Sequence, residues 1–250
     1  MTHDWSPLDA ELALWKRAGL TLPLWWRDDD ATAPSPALDR LNDLSVETGL
    51  PVHLAVVPEP AVPELAAYLS GRENLIPVVH GWAHRNHQKP DAKKSEFGAG
   101  RPVKAALEDA QRGLARMCDL FGDDLSSMFV PPWNRISDTV SAGLPLLGYN
   151  MLSTFTPRKA QEAAPGLTRI NTHLDPIDWR GTRGLADPDA LIAQATTQLR
   201  DRRDGRADNH EPYGLLTHHL VHDDAIWQFT RDIVTRLIKG PGVPWTTPRQ

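Results

Sequence analysis

The sequence predicts a single α/β domain, a distorted or incomplete (β/α) barrel with about seven parallel strands. Short apolar runs alternate with helical patterns along the chain, which is typical of a parallel sheet with right-handed crossovers. No linker-like segment and no short repeat interrupts this alternation. The 250 residues are enough for one substantial core, and seven β-then-α units fit a barrel better than a small open sheet.

The predicted strands are short apolar runs bounded by polar, proline or glycine residues. They cover residues 22–26, 51–57, 75–79, 127–130, 150–153, 168–172 and 213–217. Long apolar runs that would span a bilayer are absent from the sequence.

Helices are predicted between these strands from apolar periodicity and from start and stop residues. Ser35 and Pro36 begin the first, and Gly49 ends it. The clearest helix, over residues 103–121, has apolar residues at spacings of three and four. The others cover residues 63–69, 137–147, 187–202 and 223–239. Residues 1–20 are predicted to be an N-terminal helical extension, and residues 21–250 the barrel domain.

Composition narrows the possible partners and the compartment. The formal net charge is −5, and no basic tract is long enough to suggest nucleic-acid binding. The first 20 residues lack the basic start and apolar run of a signal peptide. We therefore expect a cytoplasmic protein with no membrane or nucleic-acid partner. The single cysteine, Cys118, excludes an internal disulfide, and the oligomeric state cannot be read from the sequence.

Polar clusters follow several of the predicted strands. Residues 28–30 are three aspartates after the first strand, and His80 and His84 follow the third. Trp133 and Asn134 follow the fourth strand, and residues 218–219 are two histidines after the seventh. In parallel α/β barrels, the carboxyl ends of the strands form the face that carries active sites. The clusters are therefore expected to converge on one mouth.

A metal site is the prediction that best unites these clusters. On a helical turn, the spacing of His80 and His84 would place both imidazoles on one side, within reach of one ion. Three adjacent aspartates repel one another unless a cation neutralises them. A bound metal would do so, and Arg27 or Arg135 is the alternative cation. Each cluster alone is equally compatible with ordinary surface or core residues, but their joint position at strand ends favours a metal.

These residues resemble the polysaccharide deacetylase family, also called the NodB-homology or carbohydrate esterase family 4-like family. The resemblance spans roughly residues 22–222. The family's first motif, two aspartates and a glycine at a strand end, is similar to the run WRDDD at residues 26–30. It implies that Asp28 is the general base and Asp29 a metal ligand. Because Asp30 stands where glycine is usual, a one-residue shift, with Asp29 as base and Asp30 as ligand, is the alternative.

The second and third motifs of the family are matched in part. The second implies that His80 and His84 are metal ligands. The third, Arg-x-Pro-aromatic-Gly, is similar to VPPWN at residues 130–134. It implies that Trp133 forms a wall of the pocket. Val130 replaces the arginine that pairs with the catalytic base, so Arg135, or else Arg27, would supply that charge.

The fourth and fifth motifs lie late in the chain. The run DPIDW at residues 175–179 resembles Asp-x-x-Asp-Trp. It implies that Trp179 lines the substrate groove and that Asp178 orients the catalytic histidine. The run LTH at residues 216–218 resembles Leu-x-His. It implies that Leu216 lines the acyl pocket and that His218 is the general acid.

The resemblance implies a metal-dependent hydrolase of a C–N amide bond. The substrate would be a small molecule or a saccharide, and the reaction the deacetylation of an N-acetylated sugar or a related small amide. One divalent metal is implied, zinc first, with nickel, cobalt, manganese or iron as alternatives. A catalytically silent metal- or carbohydrate-binding protein is one rival, supported by Val130. The other is a metal-independent glycoside hydrolase with paired carboxylates.

Several remaining histidines and tryptophans are expected to be structural. Alternation along a strand would point His219 away from the mouth. His222 precedes two aspartates and is expected to cap the last helix. His53 lies inside a predicted strand and is expected to be a hydrogen-bonded core residue. Trp15 and Trp227 lie on the apolar faces of helices.

Overall fold

The structure is a computed structural model that describes residues 3–249. Residues 1 and 2 of the predicted N-terminal extension and residue 250 of the predicted barrel domain lie outside the described residues. The helices are α1 Ser6–Arg17, α2 Pro36–Thr48, α3 Pro63–Leu69, α4 Val103–Phe121, α5 Asp138–Gly143, α6 Pro188–Arg203 and α7 Asp224–Lys239. The strands are β1 Leu22–Ala31, β2 Val52–Val56, β3 Leu75–His80, β4 Met128–Val130, β5 Met151–Leu152, β6 Glu162–Ala164, β7 Leu167–Arg169, β8 Tyr213–Thr217 and β9 Gly242–Pro244.

The sheet confirms the predicted fold class. Its strand order is β6-β7-β5-β4-β3-β2-β1-β8, and neighbours along it run parallel except β6 and β7. The chain after β7 returns to β8, where Leu174 pairs with Leu215 in parallel. This pairing closes the sheet into a distorted barrel. Strands β6 and β9 were not predicted, and each has only three residues.

Local sequence signals explain the helix ends. In α2, the Ser35 side chain accepts a hydrogen bond from the Leu38 N–H, and Gly49 adopts the left-handed conformation that ends the helix. Helix α1, in the predicted N-terminal extension, packs against α6. None of the helices within residues 3–249 is long and apolar enough to span a membrane.

Two apolar clusters show which way the strand side chains point. One contains Trp26 of β1 together with residues from the helices, so it lies between the strands and the helices. The other contains Trp25 and residues from β2, β3, β4 and β5, with no helical residue, so it fills the barrel interior. Because side chains alternate along a strand, Arg27 and Asp29 share the inner face with Trp25. Asp28 shares the outer face with Trp26.

The N-terminal end of the barrel is closed by the C-terminal segment. The imidazole of His53 lies against the rings of Trp25 and Trp245. Its Nδ1 is 3.2 Å from the Trp26 carbonyl oxygen, and its Nε2 accepts from the Thr247 N–H at 3.1 Å. The structure confirms His53 as a hydrogen-bonded core residue, and burial lowers its pKa to about 4. The predicted site residues lie toward the opposite end of the strands.

Candidate active site

The three aspartates at residues 28–30 lie within strand β1 rather than in a loop after it. The predicted strand 22–26 was too short, since β1 continues to Ala31. Its pairing with β2 is irregular between Asp28 and Ala31, and Asp30 has a φ of 75°. Strand alternation and this irregularity send the three carboxylates to different surroundings.

Asp30 lies beside the two histidines of the second motif. Its Oδ1 is 3.1 Å from His80 Nε2 and 3.3 Å from His84 Nε2. One donor atom from each of the three residues lies within 4.8 Å of the others. The carboxylate beside both imidazoles thus belongs to Asp30 and not to Asp29. Asp30 is the residue that the alternative alignment of the first motif, shifted by one position, takes as the ligand.

The chemistry of this group fits a divalent cation. His80 Nδ1 donates to the Val130 carbonyl oxygen at 3.0 Å, so Nε2, which faces Asp30, is the ring nitrogen that would bind a metal once its proton is lost. Burial alone would raise the pKa of Asp30, but the hydrogen bond from His80 and the nearby imidazole charges lower it overall. Two imidazole nitrogens and one carboxylate leave a position open for water.

Asp29 forms a buried ion pair on the inner face of β1. Its Oδ1 and Oδ2 accept from Arg27 Nε and Nη2 at 2.8 and 2.9 Å. Arg27 also donates to Ser153 Oγ and to Asn134 Oδ1, both at 2.6 Å. A guanidinium with all these partners is fixed in place, and it presents two parallel N–H groups to one carboxylate.

This ion pair supplies the positive charge that Val130 cannot. Val130 is fully buried in the interior cluster. Arg135, the other cation predicted for that role, instead donates to the Lys94 carbonyl oxygen at 2.7 Å on the exposed surface. Arg27 is therefore the cation that contacts Asp29.

His218 follows β8 and lies opposite Asp29. Its Nε2 is 3.9 Å from Asp29 Oδ2, too far for a hydrogen bond but near enough that both groups can contact the same small reactant. The edge of its ring contacts Trp179 at a centroid distance of 4.7 Å. Trp179 is 41% exposed, so the imidazole lies between a partly open aromatic wall and the buried carboxylate.

The two aspartates of the fourth motif have different surroundings. Asp178, predicted to orient His218, accepts from the N–H groups of Gly181 and Thr182 at 3.0 and 3.1 Å. Its carboxylate therefore stabilises the turn after the motif and is not bonded to the imidazole. Asp175 accepts from Trp179 Nε1 at 2.7 Å. Burial raises the pKa of Asp175, and the charge of His218 opposes that effect.

Asp28 points to the outer face of β1 and is fully buried. Its carboxylate accepts from Thr217 Oγ1 at 2.6 Å, from the His219 N–H at 3.0 Å and from His219 Nδ1 at 2.5 Å. Burial raises the pKa of Asp28, but the charge and hydrogen bond of His219 lower it overall. The structure confirms that His219 points away from the mouth, and Asp28 lies there with it.

His222 contacts the backbone of His218 rather than a helix end. Its Nε2 accepts from the His218 N–H at 3.2 Å, and its ring lies against Trp227. Helix α7 is capped by Asp223, whose carboxylate accepts from the Ile226 N–H. The prediction that His222 caps this helix was wrong, because the neighbouring aspartate takes the capping position.

The remaining predicted pocket residues lie around these groups. Trp133 has a φ of 57°, and its ring centroid is 4.3 Å from that of His84. Leu216 is buried, and its N–H donates to the Leu174 carbonyl oxygen. Trp133 thus borders the Asp30 group, and Trp179 borders His218. Their contacts with a substrate remain predictions.

The segment between His80 and His84 is a tight loop, so the predicted helical turn was wrong. Gly81 and His84 have φ values of 60° and 53°, which are left-handed and incompatible with a continuing helix. The loop wraps around the buried carboxylate of Glu96, which accepts hydrogen bonds from its backbone. Glu96 lies in a polar loop and has no signal in the sequence that marks it.

The chain is similar to known proteins in structure but not in sequence. No protein-family model matches it, and no curated protein sequence does. A family 4 carbohydrate esterase from Streptomyces lividans in complex with acetate has 15% identity and a TM-score of 0.52, over 91% of this chain and 96% of that one. A carbohydrate esterase family 4 esterase from Streptococcus mutans has 11% identity and a TM-score of 0.54, over 88% and 81%. A variant of a peptidoglycan deacetylase from Bacillus subtilis has 13% identity and a TM-score of 0.51, over 90% and 87%.

These neighbours confirm the resemblance at the level of the fold. The chain has the NodB-like fold of carbohydrate esterase family 4. At such low identity the likeness establishes no activity, which depends on the residues at the mouth of the barrel.

Proposed function

We propose that this chain is a metal-dependent hydrolase that removes an acetyl group from an N-acetylated sugar or a related small amide. The observation that supports it most directly is that two adjacent aspartates have different partners. Asp30 lies beside His80 and His84, while Asp29 is held by Arg27 and faces His218. The fold shared with carbohydrate esterases and a peptidoglycan deacetylase agrees with this chemistry.

In this proposal Asp30, His80 and His84 hold one divalent ion, with zinc first and nickel, cobalt, manganese or iron as alternatives. Imidazole and carboxylate ligands suit all of these metals. When bound, such an ion would polarise the acyl carbonyl and lower the pKa of a water molecule. The one-residue shift in the first motif thus becomes the preferred assignment, with Asp30 in place of Asp29 as ligand.

Asp29 is the proposed general base. Its pairing with Arg27 through two hydrogen bonds fixes the direction of the carboxylate. It would accept a proton from the attacking water. Asp28 is not suited to this role, because Thr217 and His219 occupy its carboxylate on the other face of the strand.

His218 is the proposed general acid. Once protonated, its Nε2 can donate to the leaving nitrogen while Asp29 acts on the water. The distance of 3.9 Å between the imidazole and Asp29 leaves the two groups unbonded, so both can contact a reactant. Trp179 orients the ring by edge contact. The walls formed by Trp133, Trp179 and Leu216 suit a sugar ring or another planar group.

Metal analysis and turnover on one set of proteins test this proposal. The wild type is expected to bind one equivalent of metal and to release acetate from N-acetylglucosamine oligomers, and a chelator should stop the release. Asp30→Ala should lose both metal and turnover. Asp29→Asn should keep the metal and lose about 10²–10⁴-fold in rate. Full metal binding by Asp30→Ala would contradict the assignment.

The two rival functions give different results in the same assays. A silent binding protein would hold metal but remain inert toward a panel of N-acetyl and cyclic amides. Its main support, Val130 in place of arginine, is weaker because Arg27 provides the charge beside Asp29. A glycoside hydrolase would cleave sugar chains in the presence of a chelator.

A further inference from the structure

We infer that Glu96 is a positioning residue for the metal: it fixes the loop between His80 and His84 so that His84 presents its Nε2 to the ion. The inference rests on the proposed function, since it assumes that both histidines are ligands. Glu96 does not contact the metal group itself. It acts through the backbone on either side of His84.

The backbone contacts are the first support. Glu96 is fully buried. Its Oε2 accepts from the Trp82 N–H at 3.2 Å, and its Oε1 accepts from the N–H groups of Ala83 and Arg85 at 2.9 and 3.4 Å. A buried carboxylate is costly unless hydrogen bonds satisfy it. The loop satisfies the carboxylate, and the carboxylate in return fixes the residues before and after His84.

The backbone conformation is the second support. His84 has a φ of 53°, a left-handed conformation that a non-glycine residue keeps only where its surroundings hold it. Gly81 has a φ of 60°, and a Cβ there would lie 2.5 Å from Glu96 Oε2 and 2.5 Å from Pro132 Cδ. The loop therefore passes through a narrow space between Glu96 and the third motif. Without Glu96, His84 is free to leave this conformation.

Glu96 is itself held on both sides. Ser95 donates from its N–H to Asn86 Oδ1 at 3.0 Å and from its Oγ to the Arg135 carbonyl oxygen at 2.9 Å. Phe97 is fully buried and pairs with Ile136. The carboxylate therefore has a fixed position against which the ligand loop can be held.

Zinc titration of the metal-free protein tests the inference. Glu96→Gln keeps the shape of the side chain but removes the charge and replaces one acceptor by a donor that faces backbone N–H groups. The dissociation constant for zinc, measured by competition with a chromophoric chelator, is expected to rise about 10–100-fold. Glu96→Asp, which keeps the carboxylate on a shorter side chain, should give a smaller rise and serves if the glutamine variant does not fold.

Glu211→Gln is the matched control. Glu211 is also buried and accepts from backbone N–H groups, those of Arg158 and Asn171, both at 3.0 Å. It lies before β8, away from His80 and His84. Both glutamine variants should unfold at lower urea concentrations, but only the Glu96 variant should bind zinc more weakly.

The outcomes separate the inference from the proposed function. If the wild type binds no zinc or other divalent metal, the proposed function fails and the inference fails with it. If the wild type binds zinc and the Glu96 variants bind it equally well, the inference alone is wrong. An equal loss of zinc affinity in Glu211→Gln would also overturn it, because the effect would then reflect general destabilisation.

Discussion

Two carboxylate–imidazole pairs join β1 to the end of β8. The two aspartates are adjacent in the sequence, and so are the two histidines. On the outer face, Asp28 and His219 are both fully buried and lie 2.5 Å apart. On the inner face, Asp29 and His218 lie 3.9 Å apart, and the side chain of His218 is 12% exposed. The same two residue types thus form one closed pair and one open pair.

The difference lies in what else each carboxylate binds. Asp28 accepts three hydrogen bonds, all from Thr217 and His219. Both oxygens of Asp29 accept from Arg27, and one of them, Oδ2, also faces His218 without a hydrogen bond to it. A closed pair stabilises the fold, whereas the acid and the base of an open pair can both contact a reactant that lies beside them. Mutation of each pair should therefore change different quantities.

Asp29→Asn should have the largest effect on the rate. It removes the proposed base while the amide can still accept from Arg27, so we expect a loss of about 10²–10⁴-fold in kcat. Metal content should be unchanged. Acetate release and metal analysis on the same preparation measure both, and near-normal turnover would show that the open pair is not catalytic.

His218→Gln should have a smaller effect that depends on the leaving group. An amine must be protonated as it leaves, whereas a nitrophenolate need not be. We expect a loss of about 10²-fold in kcat for an N-acetyl sugar and a smaller loss for p-nitrophenyl acetate. Equal losses on both substrates would argue against general acid catalysis by His218.

Asp28→Asn should mainly lower stability. It leaves His219 in a buried site without its carboxylate, and the expected loss in the free energy of unfolding is about 3–5 kcal/mol. Urea unfolding measures this loss. The folded fraction should keep its metal and most of its kcat, in contrast to Asp29→Asn. If Asp28→Asn instead lost its turnover and kept its stability, Asp28 and not Asp29 would be the base.

His53 belongs to neither pair, so it provides a baseline for acid sensitivity. Its folded-state pKa of about 4 lies below the ordinary value of 6.5. The stability that depends on neutral His53 is therefore present above pH 6.5 and is lost as the pH falls toward 4. The resulting loss in the free energy of unfolding amounts to about 3 kcal/mol near pH 4.

The matched variant is His53→Gln, which has no imidazole to protonate. Urea unfolding at pH 7 and pH 4.5 should show a smaller acid-induced loss in this variant than in the wild type. If both lose stability equally, acid unfolding is governed by other groups, such as Asp28, whose lowered pKa also makes the fold less stable in acid.

Much of the fold could be predicted because its signals are local. The starts and ends of α2 and α4 follow from Ser35, Gly49 and a regular apolar spacing. Strand alternation also places His219 on the outer face. The same rule would have placed Asp28 there, had the aspartates been taken as part of β1 rather than as a loop.

Other features depend on contacts that the sequence does not record. The left-handed Asp30 and the irregular pairing beside it bring the third aspartate to the histidines. Asp175 and Asp178 belong to one motif. Only the turn that follows decides that Asp175 accepts from the Trp179 indole while Asp178 accepts from the backbone. Glu96 is separated from the loop it holds by ten polar-loop residues with no periodicity.

The guanidinium beside the proposed base comes from the same strand as that base, and this affects which residues of the site can change. Arg27 and Asp29 are two positions apart on one strand, so their pairing needs no cation from another segment. The stretch after β4 contributes an acceptor instead, the amide oxygen of Asn134, which bonds Arg27. Substitutions around Trp133 would therefore leave the charge beside the proposed base in place as long as Asn134 is kept.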